Sequence, residues 1–279
     1  MLPTFNHAIV YVPAQKGIDA AFFLDPTVDA LDLWSLREDD QGAAAVVLEP
    51  RTGKWTWLDI PYQTPEFKLQ RWKADIQIDA PEQVHAHSHL ELRGGHASSL
   101  RTALRSEDQS RQVYDYVVSQ LFPGAKLVSA SAPDHESFLH PLRIDQEIDA
   151  SASIRQEGTH YRLKLPNDAD SAPTKLAERQ TPLDLGPPTS DESEVVVHLG
   201  KGVKLVEMPA PVDVVDPCFH VTRKVSGDHA TVTVKEAFEE TCTTVSVEDY
   251  PRYRAAMERA RSMLDTALVF EKAAGKPAR

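Results

Sequence analysis

The chain has 279 residues, of which 41% are hydrophobic and 26% charged, with 42 acidic against 30 basic side chains and a formal net charge of -12. This is the composition of a folded protein with room for two or three modest domains, and it excludes collagen-like, low-complexity and disordered chains. The acidic balance argues against a phosphate-tracking surface, and no run approaches the roughly 18–20 apolar residues of a membrane helix. The segment MLPTFNHAIVYVP lacks the basic and apolar regions of a signal peptide. Two cysteines, Cys218 and Cys242, rule out a disulfide framework and a four-thiolate zinc site and leave room for one disulfide.

The first sixty residues read as strands. Residues 7–12 (HAIVYV) form a mostly apolar, β-branched run ended by Pro13 and a polar loop. Residues 20–24 (AAFFL) form a second run, cut off by the turn Asp25-Pro26-Thr27. Residues 44–48 and 54–60 flank a turn at 51–53 and predict a hairpin, and the prolines at 61 and 65 place a boundary near residue 63. No helix start occurs here, so the segment reads as the sheet half of a layered structure. Its apolar face would carry Ile9, Phe22, Trp55 and Trp57, and is expected to self-associate or to pack on the neighbouring domain.

From Phe67 apolar and polar residues alternate, predicting half-buried antiparallel strands at 67–78 and 83–93, the second closed by Gly94-Gly95. One helix is expected over 106–122. Ser106 and Gln109 have capping-box spacing, Val113, Val117 and Leu121 recur every fourth residue, and Pro123-Gly124 terminates the run. Strands come next at 126–130, 142–153 and 161–165, and the polar segment 167–173 marks a second boundary.

In the last third, strands are predicted at 194–199, 203–208, 218–225, 230–240 and 242–247. Glu248-Asp249-Tyr250-Pro251 opens a helix whose apolar stripe is Tyr253, Met257, Ala260, Leu264, Ala267 and Leu268. Its basic side reads as a solvated face, and the residues after Ala273 as a frayed tail. The expected fold is mainly β (α+β). A partial sheet over 1–62 is succeeded by an α+β middle domain over 63–172, then a β-sandwich-like domain over 173–279 ending in a helix.

Two residues are candidates for chemistry. His7 begins the first strand and Asp25 ends the second, so antiparallel pairing of the two brings imidazole and carboxylate to one edge of the sheet. A histidine oriented by an acid is the general-base half of a nucleophilic triad; the same pair also serves as an ordinary structural hydrogen bond.

The string Leu2-Pro3-Thr4-Phe5-Asn6-His7-Ala8-Ile9-Val10, with Phe23-Leu24-Asp25-Pro26-Thr27 after it, resembles the histidine and aspartate motifs of bacterial transglutaminase-like proteins. The nearest variety joins an N-terminal domain of unknown function, a papain-like transglutaminase core and C-terminal β domains. The likeness continues through 42–48, 60–65, 179–186, 199–209 and 246–270, and covers most of the chain in texture if not in motif. It implies a partial papain-like transglutaminase sheet, with His7 as general base and Asp25 as its orienting acid. The family's cysteine precedes the histidine in a Gly-x-Cys context at a helix start, and only six residues precede His7 here. The expectation is a C-terminal portion of a larger cysteine hydrolase or acyltransferase, inactive alone. Its partners would be a protein or peptide substrate and the missing N-terminal half. Neither a cofactor nor a metal is called for; relatives of this type are often exported, and the residues themselves assign no compartment.

Cys218 and Cys242 both fall in predicted strands, where small buried apolar groups are expected rather than activated thiols. A different function class is a non-catalytic β-domain binding or scaffold module, with the triad residues vestigial. A third is a small metal-binding protein using His85, His87 and His89, which a period of two places on one strand face; the plain alternative there is an exposed polar face with incidental histidines.

Overall fold

The computed structural model describes residues 7–166 and 172–273, so Leu2–Asn6 of the histidine motif, most of the 167–173 boundary segment and the expected tail lie outside the described residues. The fold is mainly β, as the alternation predicts, and the described residues form three α-helices where the periodic runs predict two.

Residues 7–62 contain two separate ribbons. Strand β1 (Val10–Val12) pairs antiparallel with β2 (Phe22–Leu24), Val10 opposite Leu24 and Val12 opposite Phe22. Strand β3 (Ala44–Leu48) pairs with β4 (Trp55–Asp59), Leu48 opposite Trp55. Ile9 and Phe22 are half-buried, whereas Trp55 and Trp57 stay 61% and 55% exposed. The loop between the ribbons docks on the start of the middle segment. Asp32 accepts hydrogen bonds from Ser35 Oγ and from the Gly94 backbone N–H, and Ser98 Oγ donates to the carbonyl of Asp29.

Next come β5 (Leu69–Ala80), β6 (Gln83–Leu92), α1 (Gly95–Leu104), α2 (Glu107–Leu121), β7 (Lys126–Ser131) and β8 (Leu142–Asp149). The chain continues through β9 (Ile154–Glu157), β10 (His160–Lys164), β11 (Leu183–Asp184), β12 (Thr189–Leu199), β13 (Val203–Glu207) and β14 (Val212–Asp216). It closes with β15 (Phe219–Gly227), β16 (Thr231–Glu240), β17 (Thr244–Val245), α3 (Tyr250–Leu264) and β18 (Ala267–Lys272).

An eight-stranded sheet of order β14-β15-β16-β12-β5-β6-β8-β7 organises the molecule. Its pairings are antiparallel except at the centre, where β12 runs parallel to β5 from Ser190 opposite Leu69 to Leu199 opposite Ile78. One sheet thus runs through both the 63–172 and the 173–279 segments. Across this junction Arg71 Nε donates to Glu192 Oε2 at 2.9 Å.

Alternate residues of the sheet, including Ile76, Ile78, Val84, Ile144 and Val197, face one core into which both the helices α1 and α2 and a second sheet, β13-β18-β10-β9, pack. Full burial of each such side chain contributes on the order of 1.5–3 kcal/mol. A separate core forms where Val212, Val214, Phe219 and Val221 meet Tyr250, Tyr253, Met257 and Leu264 of α3.

Several expectations are corrected. The middle segment holds two helices rather than one, because Gly94-Gly95 ends β6 and also starts α1. Gly94 has φ +73°, and a Cβ there would stand 2.8 Å from the Phe67 carbonyl, so the residue acts as a hinge between two elements. Ser106 sits at the N-cap of α2 but its side chain makes no capping bond. Helix α3 stops at Leu264, and Ala267 and Leu268 belong to β18 instead. The basic side of α3 is partly engaged: Arg254 Nε donates to the Thr174 carbonyl and Arg252 pairs with the buried Asp216. Cys218 and Cys242 are joined in a disulfide, so neither is a free apolar thiol.

Arg101 of α1 is 1% exposed, and its Nη2 donates to the His140 carbonyl at 2.5 Å. Its Nε and Nη1 find no hydrogen-bond partner among the described residues, and burial lowers its pKa against the opposing charge of Asp32. An incompletely paired buried cation is costly. Arg101→Met is therefore expected to stabilise the protein by about 1 kcal/mol, read as a rise in the urea midpoint at unchanged slope. A fall in the midpoint would show that the guanidinium is better satisfied than its contacts indicate.

Candidate functional site

His7 precedes β1 and Asp25 comes directly after β2, so the antiparallel register brings both to one end of the ribbon. His7 Nε2 donates to Asp25 Oδ2 at 2.9 Å; the aspartate side chain is fully buried and the histidine side chain 28% exposed. The Asp25-Pro26-Thr27 turn holds the acid in place, since both the Thr27 amide, at 2.9 Å, and its hydroxyl, at 2.6 Å, donate to Oδ1. Burial pushes the Asp25 carboxyl upward, but the Thr27 and His7 hydrogen bonds outweigh it and hold its pKa below the ordinary value. Asp25 is therefore an anion at neutral pH, bonded so as to fix one face of the imidazole. With Nε2 engaged, Nδ1 is the ring nitrogen left to exchange a proton.

A second acid completes the site. Asp40 is 7% exposed, its Oδ2 is buried without a hydrogen-bond partner among the described residues, and one ligand-type atom from each of His7, Asp25 and Asp40 falls within 4.8 Å of the others. Burial, then the charge of Asp25, raises the Asp40 pKa against His7 and Arg37. The backbone around Asp40 is pinned. Ala43 N donates to the Asp40 carbonyl, and Gln41 Oε1 accepts from Gln63 N at 2.9 Å. Gly42, at φ +77°, lies so close under the Tyr62 ring that a Cβ would stand 2.4 Å from it. Arg37 Nε lies 3.9 Å from Asp25 Oδ2, while its guanidinium pairs with Asp39.

Reasoning from sequence missed Asp40, because the tandem Asp39-Asp40 in a polar loop reads as solvated surface. Thr27 was visible in the Asp-Pro-Thr string. A shallow groove nearby is lined by Leu36, Gln41, Gln63, Phe67, Gly94 and Pro188; none of the three site residues lines it.

His85, His87 and His89 do share the outward face of β6, as the alternation requires. They do not converge. Same-face neighbours on a strand stand about 6.8 Å apart, and each imidazole faces a different acid across β8: Asp149, Glu147 and Asp145. His89 Nδ1 is bonded to Asp145 Oδ1 at 2.7 Å. Among the described residues these histidines form no group of three with mutually close ligand atoms, which removes the support for the three-histidine metal site.

Residues 159–270 match a family described as a domain of unknown function with a solved structure (DUF3858), a stretch that runs from β10 into β18 and does not include His7 or Asp25. No curated protein matches the chain. A crystal structure from Parabacteroides distasonis ATCC 8503, described as a "putative protease", is similar over 83% of this chain and 68% of its own, with 12% identity and a TM-score of 0.36.

Proposed function

We propose that the chain is the C-terminal part of a transglutaminase-like cysteine hydrolase or acyltransferase, with His7 as general base and Asp25 as its orienting acid. The observation that carries this reading is the 2.9 Å bond from His7 Nε2 to a buried Asp25 anion that Thr27 holds by two further bonds. In such a site Nδ1 takes the proton of a thiol, the thiolate attacks an amide carbonyl, and the imidazolium returns the proton to the departing amine. Water or a second amine then resolves the acyl-enzyme. Asp25 stabilises the imidazolium in between without taking the proton.

Both cysteines of this chain are in the Cys218–Cys242 disulfide, so this reading requires a thiol that these 279 residues do not supply. In this reading residues 1–62 belong to the β half of the catalytic core, and residues 63–172 and 173–279, which share the central sheet, lie C-terminal to it. A persistent disulfide suits an oxidising compartment, in keeping with an exported parent that acts on protein or peptide substrates.

The test is alkylation of the full-length gene product. A cysteine encoded upstream of Met1 is expected to react with iodoacetamide at pH 6 at least 10-fold faster than free cysteine, because pairing with an imidazolium lowers a thiol pKa well below about 8.5. His7→Asn should abolish the advantage and Asp25→Asn should reduce it. Absence of an upstream cysteine, or a rate indifferent to His7, would overturn the hydrolase reading and leave a binding module.

A further inference from the structure

We propose that His7, Asp25 and Asp40 form a binding site for a divalent cation of the zinc class. Three observations converge on it. The first is geometric: one imidazole nitrogen and two carboxylate oxygens from separate parts of the chain lie within 4.8 Å of one another. Ligand atoms around a tetrahedral zinc stand about 3.3 Å apart, so the group is close to closed, and the His7–Asp25 side of it already measures 2.9 Å.

The second is the state of Asp40. A carboxylate oxygen buried without a donor loses its hydration and gains nothing in return, at a cost on the order of 1–3 kcal/mol or more. Asp40 Oδ2 is such an atom, in a side chain that is more than nine-tenths shielded. The nearby cation, Arg37, pairs with Asp39 and lies 3.9 Å from Asp25 Oδ2, so the two buried acids have no full counter-charge of their own.

The third is support behind the ligands. Thr27 binds Asp25 through Oδ1, leaving Oδ2 toward His7, and the Gly42–Tyr62 contact and the Gln41–Gln63 bond fix the loop that carries Asp40. Such outer partners hold metal ligands in orientation.

The donor set selects the ion. One imidazole and two carboxylates, with room for water on the exposed side of His7, suit Zn²⁺ and its neighbours Co²⁺ and Mn²⁺. Ca²⁺ requires six to eight oxygens, and Cu⁺ requires sulfur. An ion on Nε2 replaces the proton of the Nε2–H bond to Asp25, so metal binding removes the acid's support from an imidazole whose Nδ1 would act as general base; that consequence, unlike the site itself, rests on the hydrolase reading.

Equilibrium dialysis of the purified chain against Zn²⁺, with the visible absorption of a Co²⁺ derivative, tests the site. One ion per chain is expected, with a Co²⁺ spectrum of low-symmetry nitrogen and oxygen ligation. Asp40→Asn and His7→Ala should each weaken binding at least 10-fold while leaving the circular dichroism unchanged. The triple variant His85→Ala, His87→Ala, His89→Ala should bind as the parent does. No stoichiometric binding, binding indifferent to Asp40, or loss of binding in the triple variant would overturn the proposal. Since this chain carries no free thiol, any of those failures leaves the alkylation test of the hydrolase reading untouched.

Discussion

Replacing Arg223 by alanine is expected to lower the unfolding free energy by about 3–5 kcal/mol. Arg223 lies in β15 and is 1% exposed, yet every nitrogen of its guanidinium is used. Nε donates to Glu236 Oε1 at 2.6 Å, Nη1 to the Met263 carbonyl at 3.2 Å and to Thr266 Oγ1 at 2.7 Å, and Nη2 to the Leu264 carbonyl at 2.8 Å. Two of these acceptors are carbonyls in the last turn of α3, where the helix has no amide donors left and its dipole ends negative. One side chain thus closes the helix and fastens it to the sheet beneath the Phe219–Tyr253 core. Arg223→Lys should recover little, because a compact ammonium cannot reach acceptors spread as widely as those of the guanidinium fork. Chemical unfolding monitored by circular dichroism measures the effect; a loss below 1 kcal/mol would show that α3 is held by its apolar face alone. Arg101 supplies the contrast, since an equally buried guanidinium with two unused nitrogens is expected to be better replaced.

Loss of the Cys218–Cys242 bond is the second large effect. The two residues are 24 apart in sequence, and the bond closes the open end of the β15–β16 hairpin beside the hydrogen bond from Thr241 N to the Cys218 carbonyl. A loop of that length withdraws about 3.5 kcal/mol of chain entropy from the unfolded state. The Cys218→Ser, Cys242→Ser double variant should therefore unfold at a clearly lower urea concentration, and the parent should fall to a similar value in reductant. Equal midpoints with and without reductant would mean that the hairpin register, from Phe219 opposite Glu240 to Gly227 opposite Val232, already restricts the reduced chain as strongly.

The alternation in 67–78 and 83–93 announced two half-buried antiparallel strands, found as β5 and β6 within a residue or two of those bounds, because side-chain direction in a strand is a property of the strand itself. The turn chemistry of Asp25-Pro26-Thr27 marked the end of β2 with equal economy. Helix α1 was hidden because its sequence, GHASSLRTAL, opens on glycine and is rich in serine, and it is held by burial of Ala97, Arg101 and Leu104 rather than by its own propensity. Strand β18 was absorbed into the preceding helix, since Ala267 and Leu268 happen to extend the helical stripe; pairing with β10 and β13 claimed them instead.

The residues themselves were enough to establish a β-rich chain, the alternation of two of its strands, and a histidine and an aspartate at matching ends of two short runs, all of which come from local periodicity and turn stereochemistry. Only the folded arrangement decided that β5 and β12 lie side by side in the middle of one sheet, that the two cysteines join, and that Asp40 turns inward beside His7 and Asp25. These are meetings between segments distant along the chain. Closing a longer loop costs little more than closing a short one, so separation in sequence scarcely discriminates among partners, and the choice falls to the total surface that each pairing removes from water.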